Sequence, residues 1–270
     1  MEFFSSLEDL LKISNPYEKI DNFTRFYADF KTARFDHSQK SLTFTSPSYE
    51  GYCDVVEPKE VPKRKRLDTK RGMGILLHAI AHIEYSAIDL ALDAAYRFKN
   101  MPMEFYRDWL EVADDECRHF LMIDELLKES GYRYGDFPVH KALFEAGLKT
   151  DTLIGRMAVV PRYLEANGLD ANPKIIARLK GLNHPFSNEV AAALEVILKE
   201  EVDHVKKGDR WFRYACKMEG VKDISKKYFE IVESIYPGSK HSKELNKEAR
   251  KRAGFSCDEL KWLSKSKVSC

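Results

Sequence analysis

From about residue 72 the apolar residues recur every third or fourth position, the spacing that gathers them on one face of an α-helix. Leu77, Ala81, Ile88, Ala91 and Ala95 keep this rhythm through a first long helix. Phe105, Trp109, Val112, Phe120, Ile123 and Leu127 keep it through a second, with Gly131 placed as its C-terminal cap. A short helix is predicted near 139–148 and a third long one near 151–167, ended by Gly168. Asn172-Pro173 then reads as the N-cap and first position of a short helix reaching about residue 182. The fourth long helix spans about 187–217, where Val190, Leu194, Ile197 and Trp211 hold the beat. Upstream, "SLEDLLKI" and "KIDNFTRFYADFKT" are short helical patterns, followed by an extended Ser/Thr-rich piece and the run "PKEVPKRKRL". Two more helical patterns and many lysines follow residue 221, and no strand pair is visible. The pattern predicts an all-α fold: a four-helix bundle over 67–217, preceded by a helical and extended preamble (1–66) and followed by a basic helical tail (218–270).

Each long helix carries an exception on its apolar beat. Glu84 stands between Ala81 and Ile88. Glu116 occupies a beat of the second helix, with His119 beside it in "DDECRHF". Glu165 lies four residues after Pro161, on the side shared with Ala158. In "ILKEEVDHVKKG" the beat passes through Glu201 and His204. An unpaired charge in a helical core is very costly, so these positions need a partner. The order is Glu and then Glu-x-x-His, twice over, which suggests two related helix-pair halves.

Four inward carboxylates and two imidazoles form the ligand set of a carboxylate-bridged two-metal centre, one Glu from each of two helices and Glu-x-x-His from each of the others. The i, i+3 spacing lets one turn present both donors to a metal. Four carboxylates neutralise two divalent cations, and oxygen plus imidazole donors suit iron first and manganese second. The expected ligands are therefore Glu84, Glu116, His119, Glu165, Glu201 and His204. Metal-bound histidines usually donate their other N–H to a carboxylate. Asp115 and Glu200, each just before a ligand Glu, are expected to serve in this way crosswise, Asp115 to His204 and Glu200 to His119. Arg118 and Asp203 would form a further interhelical pair. His78, His82 and Tyr85 read as packing residues. Pro161 removes one backbone bond of its helix, opening or curving it beside Glu165.

Composition narrows the partners. The 270 residues carry a formal charge of +1, with 32% charged and 44% apolar residues, so no overall polyanion-binding bias exists. The basic stretch Lys63–Arg66 reads as a solvated linker. Cys53, Cys117, Cys216, Cys257 and Cys270 are odd in number and scattered, which argues for free thiols in a reducing compartment. The N-terminus lacks the basic and apolar regions of a signal peptide, and no uncharged run of about 18 residues is present to cross a membrane. The expectation is a cytoplasmic protein with no membrane partner.

Four segments, "LLHAIAHIEYSAIDLALDAAYRF", "FYRDWLEVADDECRHF", "RMAVVPRYLEANGLD" and "LEVILKEEVDHVKKGDRWF", resemble in order the ferritin-like family catalogued as domain of unknown function 455. The resemblance covers about residues 57–215 and implies a ferritin-like bundle with a di-iron or di-manganese site at the six positions named above. "DECRH" is also similar to the D-E-x-R-H motif of di-iron monooxygenases, whose Asp lies behind the ligands, whereas "EEVDH" departs from it. The resemblance carries over no reaction; the chemistry of a two-metal site leads to the expectation of a dinuclear metal oxidoreductase activating oxygen or peroxide. Its substrate would be a small molecule, or a tRNA through the basic stretches, and its electrons would come from an external donor. The alternatives are a peroxide-detoxifying or iron-handling protein and a non-catalytic scaffold with a structural metal. A homodimer is compatible with any of these.

Overall fold

The computed structural model describes residues 1–38, 40–238 and 244–264, and it is all-α. No strand forms among the described residues, where the β contacts are isolated bridges, Glu2 with Arg34 and Val55 with Val139. The chain divides into two compact units, Met1–Glu145 and Ala146–Cys270.

The first unit is built on a hairpin of two long helices, α3 (Lys70–Arg97) and α4 (Met103–Glu129), preceded by α1 (Phe3–Lys12) and α2 (Pro16–Asp29). Local chemistry sets the ends of the hairpin helices. The Thr69 hydroxyl accepts the Gly72 N–H at 3.1 Å and starts α3. Gly131, at φ +83°, ends α4 as expected. The Tyr132 N–H turns back to the Leu127 carbonyl at 3.1 Å, a bond that needs this left-handed residue.

By length and composition α3 could cross a membrane, but 83% of its most apolar stretch is buried, as in the central helix of a folded core. Helices α1 and α2 help to cover it. Phe3, Phe4 and Leu7 are buried, and Lys19 of α2 is fully enclosed. The Lys19 ammonium meets the Asp89 carboxylate of α3 and donates to the Ser48 hydroxyl at 2.8 Å. Burial pushes the Lys19 pKa down, and the Asp89 charge opposes that shift. Residues 1–66 are thus joined to α3 by a buried ion pair as well as by apolar packing. Lys63, Arg64 and Lys65 are exposed, and Arg66 pairs with Asp68 at 3.0 Å.

After α5 (Ala142–Leu148), the second unit contains α6 (Leu153–Val159), a π-helical segment (Val160–Glu165), α7 (Ala166–Lys180) and α8 (Pro185–Met218). Among the described residues three shorter helices close it: α9 (Ile224–Ile235), α10 (Lys247–Arg252) and α11 (Cys257–Leu263), where two were expected. A larger difference concerns residues 153–180. The expected break at Gly168 and new start at Asn172-Pro173 do not occur; one helical path runs through both, with Pro173 inside α7. The reason is physical. Proline at 173 leaves the Leu169 carbonyl without its helical donor, and the Asn246 side-chain amide supplies one at 3.2 Å. Pro161 neither stops nor merely curves the helix. Around it the helix widens, so that the Ala166 N–H bonds to the Pro161 carbonyl five residues back.

Cys53, Cys117 and Cys216 are free and buried. Cys257 differs from expectation in being disulfide-bonded, and Cys270 lies outside the described residues.

Gly208 of α8 faces the widened turn. A Cβ at this position would stand 2.4 Å from Pro161 Cβ and 2.5 Å from its Cγ, closer than real contacts allow. Alanine would gain about 1 kcal/mol of helix propensity here. Overpacking against a rigid ring costs about 1–3 kcal/mol. The clash is expected to win, so Gly208→Ala should lower the urea unfolding midpoint. An unchanged or raised midpoint would show that α8 can move away from Pro161.

Candidate metal centre

The hairpin of the first unit brings three of the predicted residues together. Glu84 projects from the middle of α3, and Glu116 and His119 project from one turn of α4. His119 Nδ1 lies 3.3 Å from Glu116 Oε2 and 3.4 Å from Glu84 Oε2. All three side chains are buried, His119 completely. Their donor atoms lie within 4.8 Å of one another, close enough to share one cation.

The second unit presents Glu201 and His204 from one turn of α8, both buried, with His204 Nδ1 3.4 Å from Glu201 Oε2. Glu165 ends the π-helical segment and is half-buried, less enclosed than the other five. One turn later, the position of a Cβ on Gly168 would be 3.9 Å from Glu201 Cγ, so the Glu201 side chain rests against the helix that carries Glu165.

The residues expected to support the histidines are half-buried. Asp115 accepts from Arg118 on its own helix, and Glu200 lies beside Glu201 on α8. Asp203 is paired with Lys207 at 2.5 Å. His78 and His82 sit in packing roles on α3. His78 Nε2 accepts the Gly135 N–H at 2.9 Å. His82 contacts the Tyr134 hydroxyl through Nδ1 and the His140 carbonyl through Nε2, both at 2.9 Å. Burial pushes each of these imidazoles down to about 4, so both are neutral near pH 7. Tyr85 is likewise enclosed, its hydroxyl donating to the Ser14 carbonyl at 3.2 Å.

Comparison with known proteins gives a family. The model of the family described as protein of unknown function (DUF455) matches residues 12–261. This chain belongs to that family. The match reaches well beyond the 57–215 suggested by the sequence motifs, taking in α2 and the C-terminal helices. An uncharacterized protein of Haemophilus influenzae is 35% identical, over 97% of this chain and 93% of its own. No solved structure matches.

The DUF455 chain also contains a residue that periodicity did not single out. Arg162, in the π-helical segment, is fully buried and lies 3.0 Å from both Asp209 Oδ1 and Glu259 Oε2. Its guanidinium carbon is 4.4–4.9 Å from the ring centroids of Phe212, Tyr228 and Phe255. The sequence signal was present as an arginine within the otherwise apolar run "MAVVPRYL". Reading it required knowing that Glu259 lies opposite.

Electrostatics sets the three-residue cluster apart. Burial, and then the neighbouring Glu116 carboxylate, push Glu84 up to about 8. For His119 burial opposes the charged form, but the hydrogen bonds and charges of Glu116 and Glu84 outweigh it and raise the imidazole to about 11. Both shifts have the same sign. The folded chain keeps protons that the unfolded chain releases at 4.5 for Glu84 and 6.5 for His119, so both contributions to stability shrink as pH rises. For Glu84 the loss runs from 4.5 to about 8, and for His119 from 6.5 to about 11. Metal-free protein should therefore unfold at lower urea as pH rises from 6 to 8, and Glu84→Gln should flatten much of that slope. Equal slopes in the two proteins would mean that Glu84 has already lost its proton at pH 6.

Proposed function

We propose that this DUF455 chain is a ferritin-like protein that holds two divalent metal ions and acts as an oxidoreductase on oxygen or peroxide. Iron is the first choice of metal and manganese the second. The observation that carries this reading is the buried Glu84–Glu116–His119 cluster, repeated in order by Glu165 and the Glu201–His204 turn.

The donor chemistry fits such a group. In the cluster on α3 and α4, an imidazolium and a carboxyl pushed up to about 8 show where positive charge is favoured. A divalent cation would supply that charge in place of protons, and uptake would release them. Glu84, Glu116 and His119 would hold one ion, and Glu165, Glu201 and His204 the other. Carboxylates with imidazoles match the ligand set of dinuclear centres in helical bundles. Bound there, the metals would supply redox chemistry toward oxygen or peroxide.

The chain's own residues have separate tasks. The buried positions of His119 and His204 exclude water from the imidazoles. Glu84 and His119 would exchange their protons for metal charge, and Glu116 would bring its carboxylate. Asp115 and Glu200 would accept the second ring N–H of the histidines and fix their tautomers. Substrate and electron donor would be separate molecules. A small organic substrate is the first expectation, with tRNA reserved for a result in which binding weakens steeply with salt.

The test is metal content after expression with added iron and manganese, measured beside a His119→Ala/His204→Ala variant. About two ions per chain are expected for a centre of this type, falling below about one in the folded variant. Equal metal in both proteins, or none in a folded wild type, would overturn the proposal.

A further inference from the structure

The widened turn that carries Glu165 has an unusual backbone requirement. The Ala166 N–H is committed to the Pro161 carbonyl, so the Arg162 carbonyl loses the donor it would have in a regular α-helix. Seven residues further on, Pro173 deprives the Leu169 carbonyl in the same way. Left unpaired inside the protein, each carbonyl would be costly.

Both are met from the C-terminal helices. The Tyr228 hydroxyl of α9 donates to the Arg162 carbonyl at 3.1 Å, and the Asn246 amide before α10 donates to the Leu169 carbonyl at 3.2 Å. Between them, Arg250 Nη2 of α10 donates to the Ala166 carbonyl at 3.0 Å. The same arginine binds the Asp170 carboxylate through Nε and Nη2, and Asp170 also accepts the Asn246 backbone N–H at 2.8 Å. Glu259, which caps α11 by accepting the Ser256 N–H at 2.8 Å, uses the same oxygen for Arg162. Three successive stretches of the tail thus contact the backbone or side chains of residues 162–170.

We infer that the C-terminal helices act as a clamp that sets the position of Glu165, with Tyr228, Asn246 and Arg250 as positioning residues. The inference rests on the reading of Glu165 as a metal ligand. The clamp holds the helix in its widened register, and the widened register determines how Glu165 is presented beside Glu201. Without those donors the segment would tighten toward α-helical geometry or fray, because the two carbonyls would have to find partners elsewhere. Either change rotates Glu165 about the helix axis.

The full-length Tyr228→Phe/Asn246→Ala variant removes the two donors while keeping the aromatic packing. Lys226→Ala, on the exposed side of α9, serves as the control. Amide hydrogen exchange and metal content are measured on each. The clamp predicts exchange about tenfold faster across residues 160–172, the effect of losing two hydrogen bonds, with α3 and α4 unchanged. It also predicts a fall from about two metals per chain to about one, since the Glu84–Glu116–His119 group is untouched. Reduced thermal stability with metal content and exchange both at wild-type levels would overturn the clamp. Faster exchange with two metals retained would overturn the positioning of Glu165 while leaving the metal reading intact. A wild-type chain without metal would remove Glu165 as a ligand, and with it this inference, whatever the exchange rates. If the double variant fails to fold, Asn246→Ala alone carries the same comparison.

Discussion

A carboxylate enclosed by helices must be met by a cation or a proton, and that requirement organises the central helices of this protein. Glu84 and Glu116 stand where the apolar stripes of α3 and α4 meet, a position at which leucine or isoleucine would stabilise the hairpin directly. They are retained there beside His119, which takes up a proton that its burial alone would expel. Where the same molecule buries charges for cohesion, it balances them within the chain. Lys19 faces Asp89, Arg250 faces Asp170, and Arg162 faces Asp209 and Glu259. The Glu84 cluster has two carboxylates for one imidazole, and its pairing is completed by holding protons. This contrast is what distinguishes the Glu84 cluster, which could hold a cation, from the buried ion pairs that balance themselves.

The long helices were legible because their apolar residues obey one period over many turns, and the exceptions to that period were equally visible. Glu84, Glu116 and His119 fell on the beats of two helices joined by a short link, so their meeting followed from the hairpin itself. The α-helical class and the cap at Gly131 could be read in the same way, since both depend on neighbours in the chain. The course of residues 153–180 could not. Gly168 and Asn172-Pro173 are strong local stop signals, and locally they would prevail. They are overridden by a donor at Asn246, and no local rule links that residue to Leu169. The widened turn at Pro161 escaped for a related reason, since Gly208 makes room for the proline ring and Tyr228 answers the Arg162 carbonyl.

The N-terminal segment shows the same division between local and distant information. Its two helices were visible in the pattern, but their attachment was not. A lysine within "YEKIDNF" reads as solvated, and only the position of Asp89 explains why it is enclosed. Residues 12–261 match one family model, which agrees with a chain whose flanking helices contribute to the fold and are not appended to it.

The bond from Asn246 to Leu169 spans 77 positions, and this separation affects how the protein is made. A nascent chain emerges from its N-terminus, so the α3–α4 hairpin can close from neighbouring segments as soon as both helices are out. The helix bearing Glu165 has to wait for its donors. At roughly 5–20 residues per second, several seconds pass between synthesis of Leu169 and the arrival of Asn246. During that interval the Pro173 gap can be filled only by water. The order of synthesis therefore makes the first three acidic and imidazole groups available before the second three are set, and a chain truncated ahead of α10 would carry an assembled first half beside an unfinished second one.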